Sequence, residues 1–167
     1  MTISVPHLFI LASTLFLTSA AKAQLEVEDC WTQDRYVAIL SAYPSFADAR
    51  RDAEKMAQKE GTPFSMEGRI YDAKRGLIYP DDSPDEIFRG EYVPRRYHFM
   101  FSDSGQEFSF LSVERSDGYE GFRPGYYIVV AGIYETASEA KAQADRFRSW
   151  APTAYAKKTQ IYMGCLH

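Results

Sequence analysis

The chain has 167 residues, with 19 Lys and Arg against 23 Asp and Glu, a net charge of −4, and aromatic side chains at 15% of positions. That length suits one domain with a core of its own and is short for two. The acidic balance, without any cluster of Lys and Arg interleaved with aromatics, repels a phosphate backbone and excludes nucleic acid as the expected partner.

Residues 8–17 read Leu-Phe-Ile-Leu-Ala-Ser-Thr-Leu-Phe-Leu, followed by a small-residue stretch ending Ala21-Lys22-Ala23. This is the pattern of a signal peptide with an A-x-A cleavage site. The apolar run is about ten residues, against the roughly 20 that a membrane-crossing helix needs. Cleavage after Ala23 would leave 24–167 as a single domain of 144 residues with a net charge of −5 and no integral membrane segment, in the periplasm or secreted. The chain contains no Asn, hence no N-glycosylation sequon, a hint of bacterial origin.

Cys30 and Cys165 are the two cysteines. In the oxidising compartment that a signal peptide implies, they are expected to be bonded to each other. Closing so long a loop contributes about 3 to 5 kcal/mol on the chain-entropy view. Two free thiols are the alternative, with no metal-ligand spacing between the cysteines in their favour.

From Arg35 onward the chain contains one unit used twice. The stretch beginning Arg35-Tyr-Val-Ala-Ile-Leu-Ser-Ala-Tyr overlays, without a gap and at an offset of 91 residues, the stretch beginning Tyr126-Tyr-Ile-Val-Val-Ala-Gly-Ile-Tyr. Tyr36 falls on Tyr127, Tyr43 on Tyr134, Ser45 on Thr136, Ala49 on Ala140 and Met56 on Phe147. Runs rich in β-branched and aromatic residues at 35–43 and 126–134 predict strands. Thr136-Ala-Ser-Glu139 is a capping-box pattern and Ser45-Phe-Ala-Asp48 a weaker version of it, so a helix is expected after each strand. Phe46, Ala49, Ala53, Met56 and Ala57 share one helical face, as do Ala137, Ala140, Ala144 and Phe147. Gly61 and Pro63 should stop the first helix and Pro152 the second. Further strands are expected at 64–71 and 159–164. The fold class is therefore α+β, a ferredoxin-like βαβ-βαβ antiparallel sheet with two helices on one face. In that topology the first and last strands are antiparallel neighbours, which would set Cys30 beside Cys165.

A strand closing on a small residue and an aromatic, followed by an Ala-rich helix and repeated once, resembles a SPOR domain. Tyr36-Val-Ala-Ile-Leu-Ser-Ala-Tyr43 and Tyr127-Ile-Val-Val-Ala-Gly-Ile-Tyr134 stand where that family has Tyr-x-Val-Gln-x-Gly-Ser-Phe. Ile39 occupies the place of the glycan-facing Gln, and Ser41 with Ala42 replaces Gly-Ser. The resemblance covers 35–73 and 126–164 and implies binding of septal peptidoglycan, with Ser41, Tyr43, Gly132 and Tyr134 as its site residues.

Val37 and Ile39, with Ile128 and Val130, make the sheet face opposite Ala38, Leu40, Val129 and Ala131 apolar as well. Strands buried on both faces read this way. The expected cover is the insertion at 73–125, where 97–102 and 108–113 flank Asp103-Ser-Gly-Gln106 and predict a hairpin. An acidic loop at 80–86 and an aromatic loop at 118–125 offer places for recognition. Tyr119 and Phe122 of the second loop, with Trp150, are candidates for stacking on sugar rings. At this aromatic content the core is the favoured place for most of them.

The acidic loop lacks the register of an EF-hand, and a solvated turn is favoured over calcium. His98 reads as structural and His167 as terminal. Without a Gly-x-Ser-x-Gly elbow or a His-Glu-x-x-His pair, no catalytic residues, cofactor or metal are expected. Two functions remain open: a non-catalytic envelope module binding peptidoglycan glycan strands, or an envelope subunit that contacts a protein partner through its loops.

Overall fold

The computed structural model describes residues 30–165, Cys30 and Cys165 by their backbone alone. The expected signal peptide, its cleavage point and His167 lie outside the described residues. Strand β1 (Cys30–Tyr43) leads into helix α1 (Phe46–Glu60), and β7 (Tyr127–Tyr134) into α2 (Ala137–Arg146). Between the two halves run β2 (Ile70–Asp72), β3 (Gly76–Ile78), β4 (Phe99–Phe101), β5 (Glu107–Ser109) and β6 (Ser112–Arg115), and β8 (Tyr155–Cys165) closes the chain. The main sheet has four antiparallel strands in the order β6-β7-β1-β8, and the pairs β2–β3 and β4–β5 are separate hairpins. The molecule is thus α+β, with two helices against an antiparallel sheet. Among the described residues no helix is long and apolar enough to cross a membrane.

The helices form where the caps direct. The Ser45 hydroxyl accepts from the Asp48 N–H, and Thr136 with Glu139 makes a complete capping box. Gly61, at φ 64, ends α1 in the left-handed conformation that an L side chain rarely adopts. Helix α2 stops at Arg146, six residues before Pro152, and turns through Phe147 to Ala151. Alanines 49, 53, 140 and 144, all fully buried, let both helices lie close against Ala38, Leu40, Val129 and Ala131.

The repeat is a pseudo-twofold axis between β1 and β7. Tyr36 pairs with Tyr134 and Tyr43 with Tyr127, the pairing that an offset of 91 residues requires. The register skips Leu40 on one strand and Ala131 on the other, so even the two bulges are equivalent.

The second strand of the first half is not at 64–71. Phe64 makes one parallel bridge to Leu111, and only Ile70–Asp72 is extended further on, in the small β2–β3 hairpin. The place beside β7 is taken by β6, far along the chain. The excursion therefore leaves directly after α1, pinned where the Ser65 N–H donates to Leu111 O at 2.9 Å and the Leu111 N–H to Pro63 O at 2.7 Å. The run expected as one hairpin strand at 108–113 is divided, since β5 pairs with β4 and β6 joins the main sheet. Nothing local distinguishes the two, because edge pairing is a non-local choice.

The face of the sheet away from the helices is closed. Val37, Ile39 and Val130 are fully buried there, with Tyr119 and Phe122 packed among them. Tyr119 is 2% exposed and its hydroxyl donates to Arg95 O. Expected as a recognition residue, Tyr119 is instead part of the core, and Phe122 is half-buried beside it. Burying an Ile or Val side chain stabilises by roughly 1.5–3 kcal/mol relative to exposure, so this cover is worth several such increments.

Polar groups anchor the cover. Ser112 and Glu114 of β6 pair with Val130 and Ile128, which puts their side chains on this second face. Glu114 takes both Nη atoms of Arg69 at 2.6 and 2.7 Å, the Tyr92 hydroxyl at 2.9 Å and the Arg95 N–H at 3.3 Å. Both side chains of the ion pair are wholly buried. Burial alone would lower the Arg69 guanidinium, yet Glu114, Tyr92, Glu67 and Tyr119 together hold it above its ordinary value. Burial, then the Glu114 charge, pushes the Tyr92 phenol well up. Removing one partner of such a pair strands a buried charge. Glu114→Ala is expected to cost about 3–5 kcal/mol in denaturant unfolding, and Arg69→Met combined with Glu114→Leu far less; a loss below about 1 kcal/mol for Glu114→Ala would contradict the anchor.

Cys30 and Cys165 are direct partners in the β1–β8 register. Antiparallel partners have Cα atoms about 4.5–5.5 Å apart, within the range a disulfide spans. Protein made in an oxidising compartment should therefore take up no thiol-alkylating reagent until it is reduced. Alkylation of both cysteines without reductant would refute the bond.

Candidate functional site

The sheet-borne residues expected to bind divide sharply in the structure. Ser41 and Tyr43 lie on the helix side, where their hydroxyls donate to one carboxylate oxygen, Oδ2 of Asp52 on α1, at 2.7 and 2.8 Å. Burial and that bond raise the Tyr43 phenol. These two side chains fasten α1 to β1.

Gly132 and Tyr134 meet each other instead. A Cβ at position 132 would stand 2.6 Å from the Tyr134 ring, so glycine is required for the ring to lie across the backbone. His98 stacks on Tyr134 with ring centroids 5.0 Å apart and planes 22° apart. Tyr134 thus forms part of a cleft of about 460 Å³ together with Arg96, Tyr97, His98, Phe99 and Glu139, where the start of β4 approaches the junction of β7 and α2.

Beside this cleft, alternate residues of the hairpin carry rings in a row. Tyr97 and Phe99 have centroids 5.9 Å apart, and Phe99 meets Phe101 edge-on at 5.2 Å. Tyr97 is 49% and Phe101 62% exposed. Successive same-face positions on a strand are about 6.6 Å apart, so three rings make a ridge two steps long. The signal was present in the sequence as aromatics at 97, 99 and 101, where it reads equally well as a strand with one buried face.

The charges around the cleft are mostly occupied. Arg35 bonds Glu135 at 3.3 Å and also contacts Gln33. Glu139 is held by the Thr136 hydroxyl and N–H at 2.6 and 3.1 Å, and these bonds lower its carboxyl below the ordinary value. Arg95, directly before the hairpin, is buried. Its Nε donates to Tyr97 O, its Nη1 to Phe110 O and Ser112 Oγ, and its guanidinium lies 3.5 Å from the Phe110 ring centre. Burial pulls Arg95 down to about 10, which leaves it charged at neutral pH.

The remaining sequence candidates are structural. Trp150 donates to Glu60 Oε1 at 2.6 Å and ties the C-terminal ends of α1 and α2 together. In the acidic loop Asp81 is engaged by both Nη atoms of Arg75, and Asp85 accepts from the Ile87 N–H. No group of three or more metal-ligating side chains occurs among the described residues. Two clefts beside the β2–β3 hairpin share Arg75 and Arg115, whose charges are paired with Asp81 and Asp117.

The chain matches no family model, and no curated protein or solved structure is significantly similar to it.

The geometry separates two kinds of variant. Gly132→Ala is expected to displace the Tyr134 ring and break its stack on His98, seen as a loss of ring-current shift in the His98 NMR signals. Tyr43→Phe should leave those signals in place and lower stability by about 1 kcal/mol through the lost bond to Asp52. Unchanged His98 shifts in Gly132→Ala would contradict the arrangement.

Proposed function

We propose that the chain is a non-catalytic binding domain of the cell envelope, exported to the periplasm, with a ferredoxin-like sheet of the SPOR type as its scaffold. Its ligand is a glycan strand, peptidoglycan being the expected source, and its recognition surface is the ridge Tyr97, Phe99 and Phe101 with the cleft at His98 and Tyr134. The row of rings, exposed at Tyr97 and Phe101 with the half-buried Phe99 between them, carries this reading. Broad apolar ring faces edged by polar groups suit the faces and hydroxyls of sugars. The strand order β6-β7-β1-β8, the paired bulges and the duplicated strand-helix unit support the scaffold assignment.

This reading differs from the family's pattern in one respect. With Val37, Ile39 and Val130 buried, the sheet face itself is closed to a ligand. Recognition moves to the hairpin that the excursion builds. A second reading, a protein partner, is favoured by Ile87, 81% exposed on the 3-10 turn Glu86–Phe88.

Retention on purified peptidoglycan sacculi, before and after removal of the peptide stems, tests the proposal. The intact protein should be retained on both. Tyr97→Ala with Phe101→Ala should lose roughly tenfold or more in affinity, each ring being worth about 0.5–1.5 kcal/mol. Ile87→Ser should change nothing. Absence of retention would transfer the function to a protein partner, and retention that depends on Ile87 and not on the ridge would place the peptidoglycan-binding surface elsewhere.

A further inference from the structure

Among the described residues, nine arginines form ion pairs with carboxylates: 35, 50, 51, 69, 75, 89, 115, 146 and 148. Arg95, Arg96 and Arg123 do not; Arg123 lies over the Tyr126 ring, 5.4 Å from its centroid, whereas Arg95 and Arg96 are adjacent in the chain at the foot of the ridge. Arg96 lines both the 460 Å³ cleft and a smaller one of about 170 Å³, which also includes Arg95, Glu67 and Tyr97. It is half-buried, with one long bond to Met163 O at 3.4 Å and its guanidinium 5.5 Å from the Tyr162 ring. Arg95 Nη2 is buried without a hydrogen-bond partner.

The nearby carboxylates are committed elsewhere. Glu135 pairs with Arg35, Glu139 closes the capping box and Glu67 bonds Arg69 at 2.9 Å. The formal charges lining the cleft balance, Arg35 and Arg96 against Glu135 and Glu139, but Arg96 is left without a carboxylate partner among the described residues, beside a row of rings. A planar guanidinium with free donors matches a carboxylate, and its attraction strengthens where water is partly excluded.

We infer that the ridge and cleft select a carboxylate-bearing sugar, whose ring stacks on Tyr97 and Phe99 while its carboxylate pairs with Arg96. This rests on the glycan-binding reading above and adds the charge of the ligand to it. The carboxylate has two chemical sources, a uronic acid or an ether-linked acid on an amino sugar, and the test includes both.

The test is calorimetric titration of the folded protein, at low and at moderate salt, with a linear uronic acid oligosaccharide, a lactyl-ether amino-sugar oligosaccharide and the carboxyl-reduced form of each. One acidic probe should bind about tenfold more tightly than its reduced form, with a preference that shrinks as salt rises. Arg96→Gln should abolish that preference with its unfolding transition unchanged, and Arg96→Lys should restore part of it. Equal affinity for acidic and reduced forms, or a preference that survives Arg96→Gln, would overturn the inference and leave glycan binding standing. Absence of binding by any of the four probes would overturn both.

Discussion

The buried pair of Glu114 and Arg69 is the interaction on which the rest of the molecule depends. A carboxylate placed inward on the four-residue edge strand β6 would be costly by itself, and it is tolerable because Arg69, Tyr92 and the Arg95 N–H supply it with four hydrogen bonds. Those donors come from 69–95, so satisfying Glu114 draws the excursion onto the second face of the sheet. Once there, it closes over Val37, Ile39 and Val130 together with Tyr119. A polar requirement on one edge strand thus decides which apolar face is buried, and with it which surface is left for a ligand.

The scaffold beneath is simpler than the chain length implies. Two strand-helix units related by a pseudo-twofold axis share one sheet, each with a bulge at the same place and a hydroxyl cap at the same offset. Beyond the helix the halves diverge. The second half returns within a few residues to β8, whereas the first makes the long excursion before returning as β6. The excursion is an insertion inside the first unit, not a connection between the units, which explains how it reaches both the edge strand and the covered face.

The repeat, the two caps and the paired helix faces, apart from Ala137, which is exposed on the first turn of α2, were legible in the sequence because each is a local pattern of a few residues with a fixed period. The second strand of the first half was not. The run at 64–71 has strand-like composition, while the true strand at Ser112–Arg115 is short and carries Glu114 inward, and only non-local pairing distinguishes them. Tyr134 and Gly132 were found because the repeat marks them. Ser41 and Tyr43 are marked equally, but Asp52 on the facing helix captures both hydroxyls, a contact that β1 does not announce. The ridge was visible as alternating aromatics at 97–101. What turns a strand pattern into a surface is that β4 pairs only with β5 and stands apart from the main sheet.

Hydrogen exchange measured by mass spectrometry on the wild-type protein and on Glu114→Ala tests the central claim most directly. The account predicts that in the wild type the hydrogen-bonded amides of 65–97, such as Ser65, Arg69 and Tyr79, exchange slowly, and that in Glu114→Ala they lose protection together, with β1 following as its second face opens and α1 less affected. Fast exchange of those amides in the wild type, or an unchanged pattern in the variant, would contradict it.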